Sequence, residues 1–104
     1  MAAAPIVSAR VRIQGRVQGV WFRAWTAEQA RSLGLDGWVR NRADGSVEAV
    51  FRGGEASVRE MVARCRRGPP AARVDRIDET PETGPVTDGF AQLPTEWAAG
   101  EKTR

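Results

Sequence analysis

The chain has no histidine and no tyrosine, and a single cysteine among its 104 residues. Without histidine there is no imidazole base for a serine or cysteine nucleophile, no phosphohistidine intermediate and no ordinary zinc site. The lone Cys65 has no partner for an intramolecular disulfide, which fits a reducing cytoplasm. No apolar run approaches the length of a membrane span, and the first five residues lack the apolar centre of a signal peptide, so a soluble, cytoplasmic protein is expected. Net charge is also small: 16 basic against 13 acidic side chains leaves +3. That balance suits a small anionic substrate and does not by itself imply nucleic acid. A chain of this length holds one domain with one modest core.

What is present centres on Gly15-Arg16-Val17-Gln18-Gly19-Val20-Trp21-Phe22-Arg23. The stretch lies between strand character at Ile6 to Gln14 and helix character at Trp21 to Leu33, so it reads as a strand-to-helix turn. Two glycines four apart permit a tight turn whose N–H groups are not covered by side chains. The start of a helix adds unpaired N–H groups and the positive end of its dipole. Arg23, in the first helical turn, brings a planar guanidinium fork that matches the oxygens of a phosphate or carboxylate. Together these make an oxyanion cradle with one cation.

The remaining pattern builds a scaffold. Val7, Ala9, Val11 and Ile13 alternate with Ser8, Arg10 and Arg12, as in a half-buried strand. Phe22, Thr26, Ala30 and Leu33 recur at helical spacing before a stop at Gly34. Gly37 to Arg42 and Ser46 to Arg52 are strand-like and joined by Ala43-Asp44-Gly45, a strong hairpin signal. A second helix follows Gly53-Gly54, with Ser57 near its start and Val58, Met61, Val62 and Cys65 as its apolar stripe. Arg66-Arg67-Gly68-Pro69-Pro70 ends it. A strand is predicted over Ala72 to Thr80, where Val74 and Ile77 can both face inward only if a bulge intervenes. Pro81 to Gly89 reads as a polar turn region and Gly89 to Leu93 as a short last strand. The domain is expected over residues 6–94, with a flexible N-terminus at 1–5 and a tail at 95–104 whose Trp97 could dock back on the domain. Two strand–helix crossovers around a hairpin imply a two-layer sandwich, both helices on one face of a mainly antiparallel sheet.

The turn sequence resembles the phosphate-binding loop of the acylphosphatase family, whose signature is G-x-V-Q-G-V-x-F-R. A second block, Gly34-Leu35-Asp36-Gly37-Trp38-Val39-Arg40-Asn41 followed by Asp44-Gly45-Ser46-Val47-Glu48-Ala49, is similar to the family's G-L-x-G-W-V-x-N and D-G-S-V-E-A. The resemblance continues less specifically to about residue 79. It implies a ferredoxin-like βαββαβ fold and hydrolysis of the carboxyl–phosphate bond of acyl phosphates, without cofactor or metal, by a protein expected to be a monomer. Arg23 matches the catalytic arginine, which would hold the phosphoryl oxygens together with the backbone N–H groups of Arg16, Val17, Gln18, Gly19 and Val20. Asn41 matches the catalytic asparagine, which would orient the attacking water. Carboxylate and inorganic phosphate are the implied products. An amide suits Asn41's part because it both accepts from and donates to water without being a strong base.

Other chemistry fits less well. A cysteine phosphatase would need arginine at position 71, which is Ala71. Asp75, Asp78 and Glu79 lack further ligands at metal spacing and read as a solvated strand edge. Thr26 reads either as a partner for Asn41 or as core, and Trp21, Trp25 and Trp38 either as the mouth of the site or as cover for the sheet. The alternative to an enzyme is a non-catalytic anion- or RNA-binding module of the same fold, or a unit of a larger carbamoyl-transferring enzyme. RNA readers of this topology stack bases on aromatics of the central strands, and Ser46 to Gly53 offers only Phe51.

Overall fold

A computed structural model describes residues 5–96. Strand β1 (Ile6–Arg16) leads through the glycine loop into α1 (Phe22–Ser32), then β2 (Asp36–Asn41), β3 (Val47–Gly54), α2 (Glu55–Arg67), β4 (Arg73–Pro81) and β5 (Phe90–Gln92). The sheet order is β4-β1-β3-β2-β5, antiparallel except for the β2–β5 pair. This is the ferredoxin-like α+β sandwich expected, closed at one edge by a fifth strand. Pairing also runs past the expected end of the domain, since Glu96 bridges Arg42, with its N–H donating to Asn41 O at 2.9 Å. Residues 1–4 and 97–104, Trp97 included, lie outside the described residues.

The alternation of β1 places Ala9, Val11 and Ile13 in the core with Val47, Ala49 and Phe51 of β3 and Val39 of β2. Phe22, Ala27 and Ala30 of α1 and Val58, Met61, Val62 and Cys65 of α2 cover that face. Burial pushes the Cys65 thiol up to about 12, so it is a core side chain and no nucleophile. The bulge required by Val74 and Ile77 is present. The β1–β4 register pairs Gln14 with Arg76 but Gly15 with Val74, leaving Asp75 as the extra residue, and both apolar side chains pack on the core. Gly15 is where the bulged strand passes closest: a Cβ there would stand 2.2 Å from Arg73 O.

The sheet's other face carries a cluster of charged side chains. There Glu48, on the central strand and only 5% exposed, accepts hydrogen bonds from Arg10, from Arg40 Nε at 2.9 Å and from Arg42 Nη1 at 3.0 Å. Burial works against ionisation of Glu48, but the three arginines outweigh it and the net shift is below the ordinary value of 4.5. A depressed carboxylate stabilises the fold fully above that value, and its contribution disappears as pH falls below it. Glu48→Gln should lower stability at neutral pH by about 1–2 kcal/mol. Melting curves from pH 7 to pH 3 should show the variant losing less on acidification than the wild type.

Candidate active site

The loop after β1 is tied down at both ends and bare between them. Val17 is fully buried and Val20 packs on the core, anchoring the backbone from beneath. Gln18 Nε2 donates to Arg42 O and Ser46 O, each at 2.8 Å, binding the loop to the β2–β3 hairpin. That hairpin is itself fixed, with Asp44 Oδ1 accepting from Ser46 N and Ser46 Oγ. Gly19 at φ 74° and Trp21 at φ 68° take left-handed conformations on either side of Val20. Reversals of hand of this kind turn successive N–H groups into an anion-binding concavity. Among the described residues, the N–H groups of Gln18, Gly19 and Val20 donate to no protein acceptor.

Helix α1 begins against this loop without a side-chain cap and without an acidic residue in its first turn. Its first internal bond is Trp25 N to Trp21 O at 2.9 Å, so the preceding N–H groups are left over at the positive end of the dipole. Arg23 projects from this turn. Its Nη1 donates to Leu93 O at 3.1 Å just beyond β5, and among the described residues it pairs with no carboxylate. Its positive charge is thus positioned yet not neutralised. Asn41 enters from the end of β2, next to the hairpin held by Gln18.

These elements enclose a cavity of about 350 Å³ lined by Val17, Gly19, Trp21, Arg23, Asn41 and Gln92, among others. Of the residues named from sequence, it gathers Arg23, Asn41, Val17 and Gly19. The side chains of Arg16, Gln18 and Val20 are engaged elsewhere: Arg16 closes β1 opposite Arg73, Gln18 bonds the hairpin and Val20 packs on the core. Gln18→Ala should cost about 1–2 kcal/mol of stability through the two lost hydrogen bonds. It should also raise KM by loosening the loop, readable in melts and steady-state kinetics. Thr26 is fully buried and its hydroxyl bonds neither Asn41 nor another protein group among the described residues, so it belongs to the core. Trp21 lines the cavity, whereas Trp38 lies on the opposite face of the sheet, between the guanidinium groups of Arg40 (4.6 Å) and Arg10 (5.3 Å). Sequence reasoning missed Gln92 and the Leu93 carbonyl, because only the pairing of β5 beside β2 brings them to the loop.

The acylphosphatase family model matches residues 9–92, the loop, Arg23 and Asn41 included. The chain belongs to the acylphosphatase family. Its enzymatic activity is accordingly that of an acylphosphatase. It is 64% identical over 89 residues to the acylphosphatase of Rhizorhabdus wittichii, covering 86% of this chain and 90% of that one. To the acylphosphatase of Rhodospirillum rubrum it is 60% identical over 85 residues, with coverages of 82% and 93%. The solved structure of an acylphosphatase from Coxiella burnetii superposes with a TM-score of 0.81 at 31% identity, covering 85% of this chain and 93% of that one. The acidic side chains of the edge strand β4 form ion pairs: Asp75 with Arg73, Asp78 with Arg76 and Glu79 with Arg59. On the open face, Glu48, Glu82, Asp36 and Asp88 engage Arg10, Arg40, Arg42 and Arg52, so these cations face carboxylates.

Proposed function

We propose that this acylphosphatase takes acyl phosphates at the cavity beside the glycine loop, with Arg23 and Asn41 as its catalytic residues. The observation that carries this reading is the convergence of three donor sets on one small cavity: loop N–H groups, an uncapped helix start and a guanidinium with no carboxylate partner among the described residues. Each favours a bound oxyanion, and a phosphoryl group offers enough oxygens for all three. The N–H groups of the 16–20 loop and the Arg23 fork hold those oxygens. Asn41 holds a water on the far side of phosphorus from the acyl oxygen.

The water oxygen forms the new bond to phosphorus as the bond from phosphorus to the acyl oxygen breaks. That bonding pair leaves with the carboxylate. The water's proton passes to the phosphate, so no protein base is needed. A carboxylate is a good leaving group, and positioning with charge stabilisation suffices for such a transfer. All the groups named come from one chain, which supports action as a monomer. A buried, unpaired Cys65 supports a reducing, cytoplasmic location, and no helix among the described residues is long and apolar enough to cross a membrane.

Hydrolysis of benzoyl phosphate by the purified protein, with a metal chelator present and Arg23→Ala and Asn41→Ala alongside, tests the assignment. Turnover by the wild type that both folded variants lose is the expected result. A variant that folds and keeps full activity would remove its residue from the mechanism.

A further inference from the structure

A larger, more apolar groove adjoins the cavity beside the glycine loop. The groove has a volume of about 620 Å³ and shares Trp21, Ala24 and Gln92 with the cavity, continuing along Trp25 and the Pro69-Pro70 turn. In an acyl phosphate the acyl carbon is separated from phosphorus by a single oxygen. The acyl group therefore leaves the phosphate cavity close to its rim, and this groove supplies an apolar wall there. We infer that it receives the acyl moiety and selects apolar acyl groups of aromatic size over small ones, a specificity that rests on the phosphate assignment above.

Three observations support the occupant. Trp21 is 81% exposed, a large indole that contributes little to the fold yet stands at the junction of cavity and groove. Its backbone is left-handed, φ 68° and ψ 18°, a conformation costly for a bulky L-residue. Strain of this kind concentrates where it aims a side chain at a ligand. Trp25, by contrast, is held edge-to-face against buried Phe22, centroids 5.5 Å apart at 70°, and offers a fixed apolar wall. Pro69 and Pro70 face it with rings that lose no side-chain entropy on contact. The two charged residues of the groove, Glu28 and Arg31, are of opposite sign, so the groove does not favour a second charged group on the substrate.

The test compares kcat/KM for benzoyl phosphate and acetyl phosphate in wild type, Trp21→Gly and Trp25→Ala, with inhibition by inorganic phosphate measured in each. Glycine at position 21 removes the indole and accepts the left-handed backbone, so the variant does not depend on strained geometry to fold. The wild type should prefer benzoyl phosphate by about 10-fold. Trp21→Gly should reduce that ratio by roughly 2- to 10-fold, the range an aromatic contact contributes, while phosphate inhibition changes less than the ratio. Trp21→Phe should restore most of the preference. Equal kcat/KM for the two substrates in the wild type, or an unchanged ratio in both tryptophan variants, would overturn the groove assignment and leave the phosphate site intact. No turnover of either substrate by folded wild type would overturn the phosphate assignment, and the groove assignment with it.

Discussion

Arg23→Ala is expected to lower kcat for an acyl phosphate by roughly 10²–10³, about 2.7–4 kcal/mol of barrier, the usual loss for one aimed donor in such a site. Two features make Arg23 the largest single contributor. Its charge is spent on no carboxylate among the described residues, and its one hydrogen bond, to Leu93 O, orients the fork from behind. Negative charge on the transferred phosphoryl group would therefore meet a cation already fixed in place, and alanine would leave only neutral N–H donors. The fold should survive, since that single bond contributes about 1 kcal/mol. Arg23→Lys should recover only part of the rate, because an ammonium keeps the charge and loses the two-pronged contact. Asn41→Ala should reduce kcat with a smaller effect on KM, as it would orient water and not phosphate. Single-turnover rates, KM and melting temperature for the three variants separate these effects.

Gly37→Ala should have the largest effect on stability, about 4 kcal/mol, combining left-handed strain with overpacking. Gly37 sits in β2 at φ 137°, and a Cβ there would lie 1.8 Å from Val50 O on β3. It pairs with Phe51 on one side and Phe90 on the other. Because position 37 has no side chain, those two rings lean together above it and stack, centroids 5.6 Å apart and 14° from parallel. A methyl group would push β2 off β3 and separate the rings, and β5, only three residues long, would lose its main anchor. Since Leu93, which follows β5, orients Arg23, activity should fall along with stability. Urea unfolding gives the stability, and kcat on benzoyl phosphate the second effect. A loss under 1 kcal/mol would mean that β2 yields far more easily than its place between β3 and β5 implies.

Local pattern carried much of this. Alternation in β1, the helical stripe of α2 and the Asp-Gly turn each follow from side-chain spacing and turn chemistry, which depend on neighbours in sequence. The bulge beside Gly15 was legible for the same reason: Val74 and Ile77 are the wrong distance apart for an unbroken strand. The loop and Arg23 stood out in the sequence because glycines followed by a guanidinium suit an oxyanion and occur in a long, specific run, whereas Asn41 was singled out only by its match to the family's second block. The burial of Glu48 was not, because a charge on the polar face of a strand reads as solvated until three arginines from β1, β2 and the hairpin are brought around it.

The sequence by itself determined the order of the elements, the glycine turn between β1 and α1 and the absence of any imidazole chemistry, all matters of residue type and short spacing. Only the tertiary structure decided how the loop is held, through Gln18 reaching the hairpin, and how Arg23 is aimed, through a carbonyl beyond β5 seventy positions along the chain. It also decided which tryptophan meets the cavity: Trp21 lines it, and Trp38 turns away to the other face of the sheet. Those choices rest on contacts between distant segments, whose partners are set by the packing of the whole sheet and by no local periodicity.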